Sequence, residues 1–118
     1  MVWLGSQNGL MVYVSAITVA EVRYGLAIMP KGKRRDELIF QTEEMFKDDF
    51  QGRILSFDTK AALYYADISA LRRRTGHPIS QSDAMIAAIT KMHGMTLATR
   101  NIKDFKKLDI PLINPFDI

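Results

Sequence analysis

Glu21, Asp83 and Asp104 are the side chains of this sequence best placed to do chemistry. Glu21 and Asp104 follow short apolar runs, and Asp83 opens a strongly apolar helix. Carboxylates gathered in one cleft repel each other unless a cation neutralises them. The chain has no cysteine, and its two histidines, His77 and His93, lack metal-ligand spacing. Hard oxygen donors of this kind favour Mg²⁺ or Mn²⁺ over zinc. Such an ion can activate a water and steady the charge that develops on a phosphodiester during in-line attack.

Each residue also has a plainer reading. Thr18 and Glu21 fit a capping box. Asp83 lies in a first helical turn, where the dipole favours a carboxylate by about 0.3–1 kcal/mol. An acid leading into so apolar a helix nevertheless lies close to the core, where ionised groups are rarely left without a partner. Asp104 and Asn101 suit a solvated turn. Arg72-Arg73-Arg74 closes a helix, where cations complement the dipole. Lys31, Lys33, Arg34 and Arg35 read as a solvated loop or, with Arg23 and Arg100, as a rim that holds phosphate. Neither G-x-G-x-x-G nor G-x-x-x-x-G-K-[ST] occurs, which argues against dinucleotide and P-loop chemistry.

The elements that must position these residues follow from apolar spacing. Leu10–Val14 reads as a strand after the turn pair Asn8-Gly9. A helix over about 18–28 follows, and a second over 33–49 carries Leu38, Ile39, Thr42, Met45, Phe46 and Phe50 on one stripe. Ile54–Phe57 is a strand, and Asp58 caps a helix over 59–74 with the stripe Ala61, Tyr64, Tyr65, Ile68 and Leu71. Ser80 or Ser82 caps a buried helix to His93, and Gly94 suits the left-handed position after it. Met95–Thr99 is a strand, Lys103–Leu108 a short helix or turn, and Pro111–Ile113 a last strand. Strands separated by such helices imply right-handed crossovers and an α/β sheet covered on both faces. In an open sheet of this kind, sites form beyond the carboxyl ends of the strands, where these acids would gather.

At 118 residues the chain has room for one domain, 1–118. Its 47% apolar content is too high for disorder. A net charge of +3 permits an anionic partner without demanding one. Val2–Ala20 is uncharged, but Gly5-Ser6-Gln7-Asn8-Gly9 interrupts it, so it reads as neither a spanning helix nor a signal peptide.

The order of the motifs is more specific than any one of them. Val14-Ser15-Ala16-Ile17-Thr18-Val19-Ala20-Glu21-Val22-Arg23-Tyr24-Gly25 resembles the second motif of PIN-domain ribonucleases, the VapC-type toxins of bacterial toxin–antitoxin pairs. Ser80-Gln81-Ser82-Asp83-Ala84-Met85-Ile86-Ala87-Ala88 resembles their third motif, and Thr99-Arg100-Asn101-Ile102-Lys103-Asp104-Phe105 their fourth. Ile113-Asn114-Pro115-Phe116 is similar to the family's ending, and Arg53–Asp58 to the third-strand region of the FitB-like branch.

The resemblance implies a PIN-type α/β/α sandwich on a parallel sheet and Mg²⁺- or Mn²⁺-dependent endonucleolytic cleavage of RNA. It implies that Asp83 is a direct metal ligand, and that Glu21 shapes the site or positions the water. Asp104 would act directly or through water, and Asn101 would hold the fourth position, which is Asp or Asn among relatives; the RNA contacts expected of Arg23 and Arg100 come from the phosphate-rim reading above. It further implies a VapB-like antitoxin partner, a homodimer, a cytoplasmic location and no membrane association. One departure stands out. Family members open with a central strand of the form apolar-apolar-Leu-Asp-Thr-Asn, whose Asp is the first ligand, and no such segment occurs here. Met1-Val2-Trp3-Leu4 reads as the tail of the helix that should follow it, so the expectation is an N-terminally truncated domain without its central strand. Two outcomes follow: a nuclease of impaired activity, or a non-catalytic module that binds an antitoxin or a second protomer.

Overall fold

Successive side chains on a strand point to opposite faces of the sheet, and β2 (Val12–Ser15) shows the consequence. Tyr13 packs against one core, built on Ile68, Ile86, Ile89, Leu97 and Phe105, while Val14 is buried in a second with Phe46 and Phe50. The sheet is therefore covered on both faces, as an α/β sandwich requires. The structure is a computed structural model, and it describes residues 3–5, 12–99 and 101–113.

In chain order the elements are β1 (Trp3–Gly5), β2, α1 (Ala16–Ala27), α2 (Lys33–Glu44), a π-helical turn (Met45–Asp49), β3 (Ile54–Leu55), α3 (Thr59–Arg74), α4 (Gln81–Met92), β4 (Thr96–Ala98), α5 (Ile102–Phe105) and β5 (Leu112–Ile113). The strands lie in the order β3-β2-β1-β4-β5. β2 and β3 are parallel with Val14 opposite Ile54, and β4 and β5 are parallel with Leu97 opposite Leu112.

The amino-terminal stretch departs from expectation. Trp3–Gly5 is a strand and no part of a helix, and it occupies the centre of the sheet. It runs antiparallel to both neighbours, with Leu4 opposite Tyr13 of β2 and Leu97 of β4. The physical reason lies in the neighbours. Without a strand between them, β2 and β4 would each present a row of unpaired N–H and C=O groups. A nearby extended segment satisfies both ladders in whichever direction its connection allows. Met1 and Val2 of the expected helix tail, Leu10 and Met11 of the expected strand, and Asn114–Phe116 of the family-like ending lie outside the described residues.

The helices are set by their caps and their buried faces. Asp58 accepts the Ala61 amide at 2.9 Å and starts α3. Ser80, not Ser82, starts α4, accepting the Asp83 amide at 3.2 Å. α4 buries Ala84, Ile86, Ala87, Ala88 and Ile89, together with Thr90, whose hydroxyl donates to the Ile86 carbonyl at 2.8 Å. Gly94 follows its end with φ +61°, in the left-handed region where glycine costs nothing. The expected helix over 33–49 divides: its α-helical part ends at Glu44, and a wider turn closes with the Phe50 amide on the Met45 carbonyl at 3.2 Å. Phe46 and Phe50 enter the second core there, their ring centroids 6.4 Å apart.

Candidate active site

β2 and β4 both run antiparallel to β1 and therefore parallel to each other, so Ser15 and Ala98 end at the same edge of the sheet. Trp3 lies opposite Ala98, which brings the amino end of β1 to that edge. Gly5, its carboxyl end, lies opposite Val12 and Thr96 at the far edge. A reversed central strand thus cannot deliver an acid from its carboxyl end to the site.

The first element of the site is α1. Its N-cap is Ser15, fully buried, whose Oγ accepts the Thr18 amide at 3.0 Å and donates to the Thr18 hydroxyl at 3.2 Å. The expected capping box of Thr18 and Glu21 is therefore not formed, because the helix begins at Ala16. β2 passes directly into α1, so the cap moves back to the last strand residue. Glu21 lies beyond the first turn and has no capping duty.

The second element is α4. Asp83 sits half-buried in its first turn. α1 packs on α4, and the charge of Asp83 reaches Glu21. The Glu21 pKa is raised above its ordinary value, first because burial strips hydration from the charged form and then because the negative charge of Asp83 repels it.

The third element is the turn after β4. Thr99 is buried, and its Oγ1 accepts the Asn101 amide at 3.0 Å. The Asn101 carbonyl in turn accepts the Asp104 amide at 3.0 Å. The side chains of Asn101 and Asp104 are exposed at the rim. Glu21 and Asp83 are thus brought within electrostatic reach of each other. Among the described residues no three His, Asp or Glu side chains are grouped so as to hold a metal ion. Two carboxylates still fit Mg²⁺, which keeps several waters and commonly takes one or two carboxylates plus substrate phosphate.

The basic residues divide. Arg23 pairs with Glu43, Nη1 to Oε1 at 2.5 Å and Nη2 to Oε2 at 3.1 Å, and its guanidinium lies 6.0 Å from the centroid of Phe46. Arg35 donates Nε to the Leu26 carbonyl at 3.2 Å, tying α2 to the end of α1. Arg100 lies outside the described residues. Arg72 is the surprise. Read as one of three cations at a helix end, it is only 9% exposed, and it donates Nε to the His77 carbonyl at 2.6 Å and Nη1 to the Asp104 carbonyl at 2.9 Å. The available signal was spacing: Arg72 follows Ile68 by four residues, on the inward face of α3. Leu71, assigned to that stripe, is 46% exposed.

The chain is similar to known proteins in sequence and in fold. The model of the PIN domain family matches residues 3–111. The VapC ribonuclease Y4jK of Sinorhizobium fredii is 39% identical over 99% of this chain and 84% of its own length. The toxin FitB of Neisseria gonorrhoeae is 40% identical over 97% of this chain and 82% of its own. Among solved structures, that of FitAB bound to a DNA fragment, IR36, superposes with a TM-score of 0.84 at 40% identity, covering 90% of this chain and 74% of that one.

Proposed function

The chain belongs to the PIN domain family, with VapC- and FitB-type toxins as its relatives, and we propose that it is itself a ribonuclease toxin that cleaves RNA with Mg²⁺ or Mn²⁺. The observation that supports this reading is the raised pKa of Glu21, to which the charge of Asp83 contributes, on helices that adjoin the carboxyl ends of the strands, where an α/β fold commonly carries its chemistry. A divalent cation would relieve the repulsion that the Asp83 charge exerts on Glu21. When bound, such an ion supplies an activated water and stabilises charge on the phosphodiester.

This chain's own residues then have separable tasks. Asp83, on the rigid start of α4, would be the direct ligand. Glu21, with no cap to form, would shape the site and orient the attacking water. Asp104 and Asn101, exposed at the rim, would meet the ion through water or the substrate backbone. Arg100 would contact RNA from the same turn. Arg23, held by Glu43, would contribute only if that pair opened. The partner we propose is a VapB-like antitoxin, in keeping with the FitAB complex. We also propose a homodimer and a cytoplasmic setting. Among the described residues no helix is long and apolar enough to cross a membrane.

The test is cleavage of RNA by the purified protein with Mg²⁺ or Mn²⁺. Asp83→Asn should abolish it, and so should excess chelator. Cleavage that persists in either case contradicts the assignment. A second reading, a non-catalytic module that binds an antitoxin or a second copy, draws on the reversed β1, which brings no acid to the site edge. It predicts intact RNA at every metal concentration while a partner still binds.

A further inference from the structure

Along one face of α1 the covering of the helix stops partway. Thr18, in the first turn, is 3% exposed. Glu21, Tyr24, Gly25 and Ile28 follow it at intervals of three and four residues, so they share its face. All four are exposed, Tyr24 by 67% and Ile28 by 65%. An aromatic ring therefore stands open to solvent one helical turn from Glu21, the two Cβ atoms about 5–6 Å apart.

Gly25 is a second, independent observation. Glycine inside a helix costs stability relative to alanine, and among the described residues a Cβ at Gly25 would meet nothing within 4 Å. Packing within the chain gives no reason for it. The glycine leaves the helix surface beside the Tyr24 ring bare, as close approach of a ligand requires. At the far end of this stripe, four of the five residues from Lys31 to Arg35 are cations. Arg35 fastens that run to α1 through the Leu26 carbonyl, and Lys31, Lys33 and Arg34 are exposed.

We propose that this face of α1 seats an unpaired nucleotide of the RNA substrate, its base stacked on Tyr24 over Gly25 and its phosphates running toward Lys31, Lys33 and Arg34. Tyr24 is then a residue that sets specificity for single-stranded RNA. A base can lay its flat face on a side-chain ring only where it is unstacked from its neighbours, which a duplex does not allow. A polyanion with open ring faces answers both the tyrosine and the cations, whereas a purely apolar partner answers only the ring. The inference rests on the preceding reading of the chain as a ribonuclease with Glu21 in its site.

The experiment is fluorescence anisotropy of the full chain with labelled oligoadenylate, alone or annealed to oligouridylate. Excess chelator is present, so that no metal-dependent cleavage intervenes. Tyr24→Leu should weaken single-strand binding about tenfold, the loss of one stacked base, and leave duplex binding unchanged. Tyr24→Phe keeps the ring and should bind as the wild type does. Gly25→Ala should melt no lower than wild type, because alanine favours the helix, yet bind the single strand severalfold more weakly. Lys33→Ala combined with Arg34→Ala should weaken binding and flatten its dependence on salt. Unchanged single-strand affinity in Tyr24→Leu overturns the proposal and leaves the exposed face to a protein partner. Equal losses for strand and duplex overturn it too, as does Gly25→Ala binding like wild type. Any of these results with Mg²⁺-dependent cleavage intact leaves the ribonuclease reading standing. Neither binding nor cleavage by the wild type removes both.

Discussion

α4 and α2 are both twelve residues long, yet their burial differs sharply. α4 packs against α3 and buries six residues, four of them in the larger core, whereas α2 buries none and leaves Phe40 66% exposed. Most helical stability in proteins comes from burial of one face and little from intrinsic propensity. α4 is therefore a fixed platform, and the residue it carries into the site, Asp83, is held to the core. α2 is tied to α1 by a few polar contacts, Arg23 with Glu43 and Arg35 with the Leu26 carbonyl. Asp83 therefore sits on the firmly packed side of the molecule, and α2, which carries none of the site's acids, on the lightly held side.

The largest effect that separates the two regions is a cavity. Ile89→Ala should cost about 2–5 kcal/mol, as buried large-to-small changes do, while Phe40→Ala should stay within about 0.5 kcal/mol. Urea unfolding of both variants measures this, and similar losses would erase the contrast. Next come the caps. Ser15→Ala removes a fully buried cap and strands the Thr18 hydroxyl, so it should reach the upper part of the range of about 0.5–2 kcal/mol, with Ser80→Ala below it. A reversed order would move the weight of the site from α1 to α4. The smallest effect concerns the α1–α2 tie. Arg23 and Glu43 are both about half exposed, and a double-mutant cycle on them should return about 0.2–1 kcal/mol, decreasing with salt.

Much of this was legible in the sequence, and the exceptions share a cause. The strand and helix order, the Asp58 cap, the buried α4 and the left-handed Gly94 all follow from local spacing and turn chemistry. What was illegible depends on distant partners. Trp3–Gly5 is a strand because β2 and β4 leave ladders open, which no local pattern announces. Ser15 became the cap because the strand passes into the helix without a loop. Arg72 looked like a dipole cation, since its acceptors at His77 and Asp104 are backbone carbonyls brought in by the fold. Within the site, the likeness of the motifs picked out Glu21, Asp83 and Asp104; the charge of Asp83 reaches Glu21, while among the described residues no three such side chains are grouped to hold a metal.

That influence of Asp83 on Glu21 has a measurable signature. The folded pKa of Glu21 lies above its ordinary value of 4.5, so the native state binds this proton more tightly than the unfolded chain. The stability it contributes is complete below 4.5 and is lost as pH rises through the folded pKa. The most direct measurement is an NMR titration of the Glu21 carboxyl with and without Mg²⁺, in the wild type and in Asp83→Asn. The account predicts a raised pKa that falls when Asp83 loses its charge, and falls also when Mg²⁺ is added to the wild type. A Glu21 titration that responds to neither change would contradict it.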